Sequence, residues 1–134
     1  MKRTVLTIED QVDIRRLIRL TLELKGHTVL EASDGAEGLA MAQAHRPDLI
    51  LLDVMMPGMD GLTVCRTLAA DEQLRRIPVV MLSALGTADD VQAGLKSGAR
   101  AYVVKPFSPL DLLGVITRLI DESQAFAKRS LPTS

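Results

Sequence analysis

Short apolar runs alternate along the chain with segments in which apolar residues recur at helical spacing. The runs are almost continuously apolar, as strands buried on both faces are; they span residues 4–8, 28–30, 48–54, 78–82 and 101–104. A helical segment follows each run. This alternation predicts an α/β fold of five βα units with a parallel sheet.

Residue types at the segment ends predict where the helices begin and stop. The first helix is predicted to end at Gly26, a residue type common just after a helix, and its apolar face to comprise Ile14, Leu17, Ile18 and Thr21. Polar residues that cap helix N-termini precede the other four helices: Asp34, Asp60, Thr87 and Ser108. The third helix is predicted to present Leu62, Cys65, Leu68 and Ala69 on one face.

Five βα units are too few for a closed barrel of eight, so we predict an open, doubly wound sheet with the common strand order 2-1-3-4-5. Right-handed crossovers place helices on both faces. We predict one domain over residues 1–122. We expect residues 123–134 to form the end of the last helix and then a mobile tail or linker stub.

Composition argues against several classes of partner. Sixteen basic and seventeen acidic residues give a net charge of −1, and the chain has three aromatic residues, so we expect no direct nucleic-acid binding. No apolar run approaches the roughly 20 residues that span a bilayer. The one cysteine, Cys65, fits a reducing compartment and a place in the core. We expect a cytoplasmic protein without membrane insertion.

Polar residues stand at the carboxyl ends of four predicted strands: Glu9, Asp10, Asp53, Ser83 and Lys105. A charged residue after a strand usually begins a solvated loop. Asp53, however, directly follows the apolar run of the central strand. In an open α/β sheet, ligands bind outside the carboxyl ends at the switch point, which here lies between strands one and three. We therefore predict that Asp53 lies beside Glu9 and Asp10.

Three neighbouring carboxylates repel one another unless some are protonated or a cation joins them. A small set of oxygen ligands suits Mg²⁺, which readily shares its coordination shell with a phosphate. Lys105 adds a positive charge and Ser83 a hydroxyl donor. Phosphoryl transfer requires such positioning and charge neutralisation, and Asp53 is the candidate nucleophile that would form an aspartyl phosphate.

These residues carry a family resemblance. The acidic pair Glu9–Asp10, the segment LLDVMMPGMDG around Asp53, Ser83–Ala84, and Tyr102 ahead of Lys105–Pro106–Phe107 resemble a two-component response regulator receiver domain over residues 3–122. The likeness is to single-domain, chemotaxis-regulator-like members. It implies a flavodoxin-like fold, whose known strand order is the one adopted above, so that order is not an independent prediction.

The resemblance implies a role for each matching residue. Mg²⁺, or Mn²⁺ as a substitute, would be held by Glu9, Asp10, Asp53 and the backbone carbonyl of Met55. Asp53 would accept a phosphoryl group from a sensor histidine kinase or a histidine phosphotransfer protein. The phosphoryl oxygens would be contacted by Lys105, Ser83 and Ala84.

The resemblance also implies a switch. Ser83 would move toward the phosphoryl group, Tyr102 would swing into the space that it leaves, and the Lys105–Pro106 bond would be cis. The output would be a docking face for a downstream protein target or effector domain. The chain would then be a phosphoacceptor that catalyses its own phosphorylation and dephosphorylation, and not an enzyme acting on a separate substrate.

Three alternative functions compete with this interpretation. A flavin-binding module would need a Gly-, Ser- or Thr-rich phosphate loop where this chain has Glu9 and Asp10. A phosphatase with an aspartyl-phosphate intermediate would need an aspartate at the position of Met55. A pseudo-receiver would keep the fold and bind partners without phosphorylation. The arginines of the first helix, Arg15, Arg16 and Arg19, are interpreted as a solvated face, with kinase docking as the functional alternative.

Overall fold

Five strands and five helices alternate strictly in this computed structural model, which describes residues 3–130 and, within the last helix, side chains as far as residue 123. The elements are β1 (Thr4–Ile8), α1 (Val12–Leu24), β2 (Thr28–Ala32), α2 (Gly35–His45), β3 (Leu49–Asp53), α3 (Gly61–Ala70), β4 (Val79–Ser83), α4 (Ala88–Lys96), β5 (Ala101–Val104) and α5 (Pro109–Ser130). The predicted alternation is confirmed. Among the described residues, no helix is long and apolar enough to cross a membrane.

All strand pairs are parallel, and the order β2-β1-β3-β4-β5 matches the predicted doubly wound sheet. The register keeps the carboxyl ends of the strands nearly level. Ile8 lies opposite Leu52, and Asp53 lies opposite Leu82. Residues that end or directly follow these strands therefore meet at one edge of the sheet, where the candidate site lies.

Each strand sends alternate side chains to two separate cores. One core packs β1, β3 and β4 against α2 and α3, and its fully buried members include Leu6, Leu52 and Met81. The other packs the opposite face against α1 and α5 and includes Leu51. Burying one such side chain stabilises the fold by roughly 1.5–3 kcal/mol. Because helices cover both faces, the strands read as continuously apolar runs.

Strand boundaries differ slightly from those predicted. β2 extends two residues beyond the predicted run 28–30 because Glu31, although charged, pairs with arginines of α1. β3 is one residue shorter at each end than predicted. Just before it, the Asp48 N–H donates to the Thr4 carbonyl, and the Asp48 carboxylate accepts a hydrogen bond from the Thr4 N–H. β4 begins and ends one residue later than predicted.

The helix ends follow the predicted signals. Gly26 has a φ of +85°, which suits the turn after α1, and the side chains of Asp34, Asp60 and Thr87 each accept a hydrogen bond from a backbone N–H three residues on. α5 begins directly after Ser108. Its helix continues to Ser130, so most of the segment predicted as helix end and tail is helical, and residues 131–134 lie outside the described part of the chain.

Two helix faces were predicted only in part. The predicted buried face of α1 includes Leu17, but this residue is 44% exposed, and Leu22 is buried instead. In α3, Ala69 is exposed, whereas Val64 packs fully inside the core. In both helices the buried stripe is rotated by a fraction of a turn from the predicted one.

Gly61 lets α3 begin directly against the end of β3. A Cβ atom at Gly61 would lie 2.5 Å from the Asp53 carbonyl oxygen and 2.6 Å from the Val54 Cα, and neither backbone atom can move without displacing the site. We expect Gly61→Ala to lower the free energy of unfolding by about 2 kcal/mol through overpacking, as measured by urea denaturation.

The matched control is Gly114→Ala in α5, where a Cβ atom would have no neighbour within 4 Å. That change should stabilise the chain by about 0.5–1 kcal/mol, because alanine restricts the unfolded chain and favours the helix. If both substitutions changed the free energy of unfolding by the same amount, the close approach of Gly61 to the end of β3 would be contradicted.

Candidate functional site

Three acidic residues come together at the carboxyl edge of the sheet. Glu9 follows β1 and is fully buried, Asp53 ends β3 and is 3% exposed, and Asp10 is half-buried. One carboxylate oxygen from each lies within 4.8 Å of the other two. The predicted neighbourhood of Asp53, Glu9 and Asp10 is thus confirmed. Oxygen ligands at this spacing fit a hard divalent cation.

Lys105 reaches this cluster from the end of β5. Its Nζ lies 2.8 Å from Glu9 Oε1 and 3.4 Å from Asp53 Oδ2. Burial raises the pKa of the Glu9 carboxyl above its usual value, and the hydrogen bond from Lys105 opposes that rise. The Lys105–Pro106 peptide bond is cis, as the resemblance implied. Lys105 therefore balances part of the negative charge that the three carboxylates concentrate here.

Backbone amides fix the two buried carboxylates. The Gln11 N–H donates to Glu9 Oε2 over 3.2 Å, and the Met55 N–H donates to Asp53 Oδ1 over 3.1 Å. Met55 is thereby held next to Asp53. Its carbonyl accepts no hydrogen bond from the described residues, and its role as a metal ligand stays a prediction.

Ser83 and Tyr102 are linked through the backbone of Leu85. The Leu85 N–H donates to Ser83 Oγ over 3.0 Å, and the Tyr102 hydroxyl donates to the Leu85 carbonyl over 2.6 Å. Ser83 is buried at the end of β4, and Ala84 is exposed where the following loop begins. The loop is thus tied to both predicted switch residues.

The Tyr102 ring lies against Gly94 of α4. A Cβ atom at Gly94 would come within 2.7 Å of the ring and 2.8 Å of the Met81 sulfur. The absence of a side chain at Gly94 therefore makes room for the aromatic ring beneath the helix. The glycine can be found in the sequence, but the aromatic ring that it accommodates cannot be inferred from it.

An open apolar groove of about 490 Å³ borders the site. It is lined by Val54, Met55, Met56, Pro57, Asp60, Leu62 and Leu85. Met55 and Leu85 are 56% and 39% exposed, so both add apolar surface to this groove. Neither side chain can hydrogen-bond a water molecule.

Sequence reasoning missed a second role for Arg15, which was interpreted as part of a solvated face. Its side chain is 18% exposed, donates from Nη1 to the Glu9 carbonyl over 2.8 Å and places Nε 3.4 Å from Glu31. Arg19 also pairs with Glu31, whereas Arg16 is exposed. The sequence signal that could have indicated this pairing is Glu31, a glutamate within an otherwise apolar strand, because a half-buried charge needs a partner.

The fold and this edge of the sheet define a class of α/β proteins that gather acidic residues and a lysine around one buried aspartate. The chain matches the family model described as the response regulator receiver domain over residues 5–117. It therefore belongs to the response regulator receiver domain family, and the resemblance drawn from its motifs is confirmed.

Relatives and solved structures agree with this assignment. The chain is 42% identical over 123 residues to the probable transcriptional regulator ycf27 of Cyanophora paradoxa, covering 92% of this chain and 50% of that protein. It is 43% identical over 116 residues to the DNA-binding dual master transcriptional regulator RpaA of Synechocystis, covering 87% and 48%. The structure of the chemotaxis protein CheY4 of Vibrio cholerae matches with a TM-score of 0.84 and 35% identity, covering 89% of this chain and 99% of that one.

The chain spans about half the length of the curated relatives that it matches. Those relatives are named as transcriptional regulators, and one is named as DNA-binding. The predicted absence of nucleic-acid binding concerns these 134 residues alone and stays a prediction.

Proposed function

We propose that this receiver domain takes a phosphoryl group on Asp53 in a reaction that requires Mg²⁺. The observation that carries the proposal is the position of Asp53, buried within 4.8 Å of two further acidic residues and 3.4 Å from the Lys105 ammonium. The phosphoryl donor would be a phosphohistidine on a sensor kinase or on a phosphotransfer protein. Neither the flavin nor the phosphatase alternative is favoured by any feature of this site.

The donor set fits the proposed metal. Carboxylate oxygens are hard ligands of the kind that Mg²⁺ prefers, and Mn²⁺ accepts them as well. Glu9, Asp10 and Asp53 would hold the ion, together with the Met55 carbonyl. When bound, the ion would neutralise charge on the transferring phosphoryl group.

The chemistry exchanges one bond to phosphorus for another. An Asp53 carboxylate oxygen forms the new O–P bond while the N–P bond of the phosphohistidine breaks, and the leaving imidazole keeps the electron pair of that bond. Lys105 would pair with the phosphoryl oxygens, and the Ser83 hydroxyl and the Ala84 backbone would contact them. Dephosphorylation by water at the same site would return Asp53 to a carboxylate.

The structural change caused by phosphorylation would be transmitted to the surface through the loop that follows β4. Ser83 and Tyr102 both bond to Leu85, so movement of Ser83 toward the phosphoryl group would change the support of the Tyr102 hydroxyl. The altered face would comprise α4, β5 and α5, which would dock on a downstream protein or effector domain. We assign residues 1–122 to the receiver unit and residues 123–134 to the end of its last helix with a mobile tail or linker stub. We assign the protein to the cytoplasm.

Intact mass after incubation with a small acyl phosphate and Mg²⁺ tests the proposal. We expect one phosphoryl adduct on the native chain, and none on Asp53→Asn or after chelation of the metal. Asp60→Asn is the matched control, because Asp60 is an exposed acid that caps α3 outside the cluster, and it should label normally. An unlabelled native chain, under conditions that label a known receiver, would support the pseudo-receiver alternative.

We expect the phosphorylated state to be comparatively long-lived. By resemblance to the family, the residues two positions after Asp53 and Ser83 flank the path of the attacking water, and here they are Met55 and Leu85, whose apolar side chains cannot orient it. Met55→Asn together with Leu85→Glu should shorten the half-life of the adduct severalfold, measured by mass after removal of the donor. Met59→Asn serves as the control, since Met59 is 37% exposed but does not line the groove. An unchanged half-life in the double variant would contradict this explanation.

A further inference from the structure

Asp10 is the least supported member of the acidic cluster. The Glu9 carboxylate is held by Lys105 and the Gln11 N–H, and the Asp53 carboxylate by Lys105 and the Met55 N–H. Within residues 3–123, whose side chains are described, no hydrogen bond or ion pair holds the Asp10 carboxylate. Its direction therefore depends on the backbone that carries it.

That backbone is fixed on both sides of the Glu9 Cα. The Glu9 N–H, which belongs to the peptide group before Glu9, donates to the Ala32 carbonyl over 3.0 Å and extends the pairing of β1 with β2. On the other side, Arg15 Nη1 donates to the Glu9 carbonyl over 2.8 Å. A peptide group is planar, so holding its carbonyl oxygen also fixes the direction in which the chain enters Asp10.

Glu31 orients Arg15 for this contact. Its two carboxylate oxygens are divided between two arginines of α1, with Oε2 at 3.4 Å from Arg15 Nε and Oε1 at 2.8 Å from Arg19 Nη1. Arg15 is 18% and Glu31 25% exposed, so both side chains are largely screened from water. The planar guanidinium can bond the carboxylate and the carbonyl at once, which a lysine could not do with the same geometry.

We propose that Arg15, oriented by Glu31, is a positioning residue for the metal-binding acidic pair. It holds the Glu9–Asp10 peptide so that the Asp10 carboxylate faces the other two ligands. This inference rests on the proposed function in one respect, that the acidic cluster binds Mg²⁺. Groups that orient metal ligands in other proteins typically change metal affinity by about 10- to 100-fold when they are removed.

The direction in which Mg²⁺ affinity changes when Arg15 is removed distinguishes a positioning role from simple electrostatic repulsion. Arg15 is a positive charge beside a cation site, so its removal should strengthen Mg²⁺ binding if Coulomb repulsion alone matters. If Arg15 positions Asp10, its removal should weaken binding despite the favourable change in charge. The two explanations predict opposite results for the same substitution.

Isothermal titration calorimetry with Mg²⁺ on the full chain provides the test, since it needs no phosphorylation. We expect Arg15→Met to weaken Mg²⁺ binding about tenfold. Arg19→Met removes the same charge from the same glutamate without touching Glu9, and its affinity should be unchanged or slightly higher. Circular dichroism establishes that each variant is folded.

A second variant keeps the test decisive if Arg15→Met fails to fold. The double variant Arg15→Met/Glu31→Gln keeps the native net charge and removes the glutamate that Arg15 pairs with. It should bind Mg²⁺ about as weakly as we expect of Arg15→Met alone. Native affinity in the folded variants would overturn the positioning role while leaving the proposed function intact. No Mg²⁺ binding by the native chain would overturn both.

Discussion

Three carboxylates concentrate negative charge at one edge of a buried sheet, and the candidate site depends on how that charge is balanced. Two carboxylates of the cluster are almost completely shielded from water, and a third lies within 4.8 Å of both. Like charges about 4 Å apart repel by roughly 4 kcal/mol at an effective dielectric constant of 20. Such a cluster is tolerated where a carboxylate is protonated or where cations and hydrogen-bond donors compensate the charge. Lys105 and the backbone N–H groups of Gln11 and Met55 provide that compensation.

This requirement explains why distant segments of the chain converge on the site. Lys105 follows β5, which β4 separates from β3, so the two backbones lie two strand spacings or about 10 Å apart. The lysine side chain nevertheless brings its Nζ within 3.4 Å of Asp53 Oδ2. The level carboxyl ends of the parallel strands make that reach feasible. Phosphoryl transfer would depend on the same charge compensation. The phosphoryl group adds negative charge to the site, and a divalent cation adds positive charge.

Much of the fold and site could be predicted because the signals are local. Continuous apolar runs mark strands covered on both faces, and side chains such as Asp34 cap their own helices. Asp53 stood out because it ends the central strand. Arg15 did not, since its two partners lie 6 and 16 residues away and only the packing of α1 on β2 brings them together. The exposure of Leu17 was missed because periodicity gives the face of a helix only to within part of a turn.

The most direct test of the central claim is the shift in melting temperature that Mg²⁺ produces in the native chain and in Lys105→Met. Without the lysine, Glu9 and Asp53 would share no side-chain cation, so Mg²⁺ should stabilise the variant more than it stabilises the native chain. Lys96→Met, which removes an exposed charge of α4, should respond like the native chain. A Mg²⁺-induced shift in Lys105→Met that is no larger than in the native chain would contradict the claim that these carboxylates form one shared cation site.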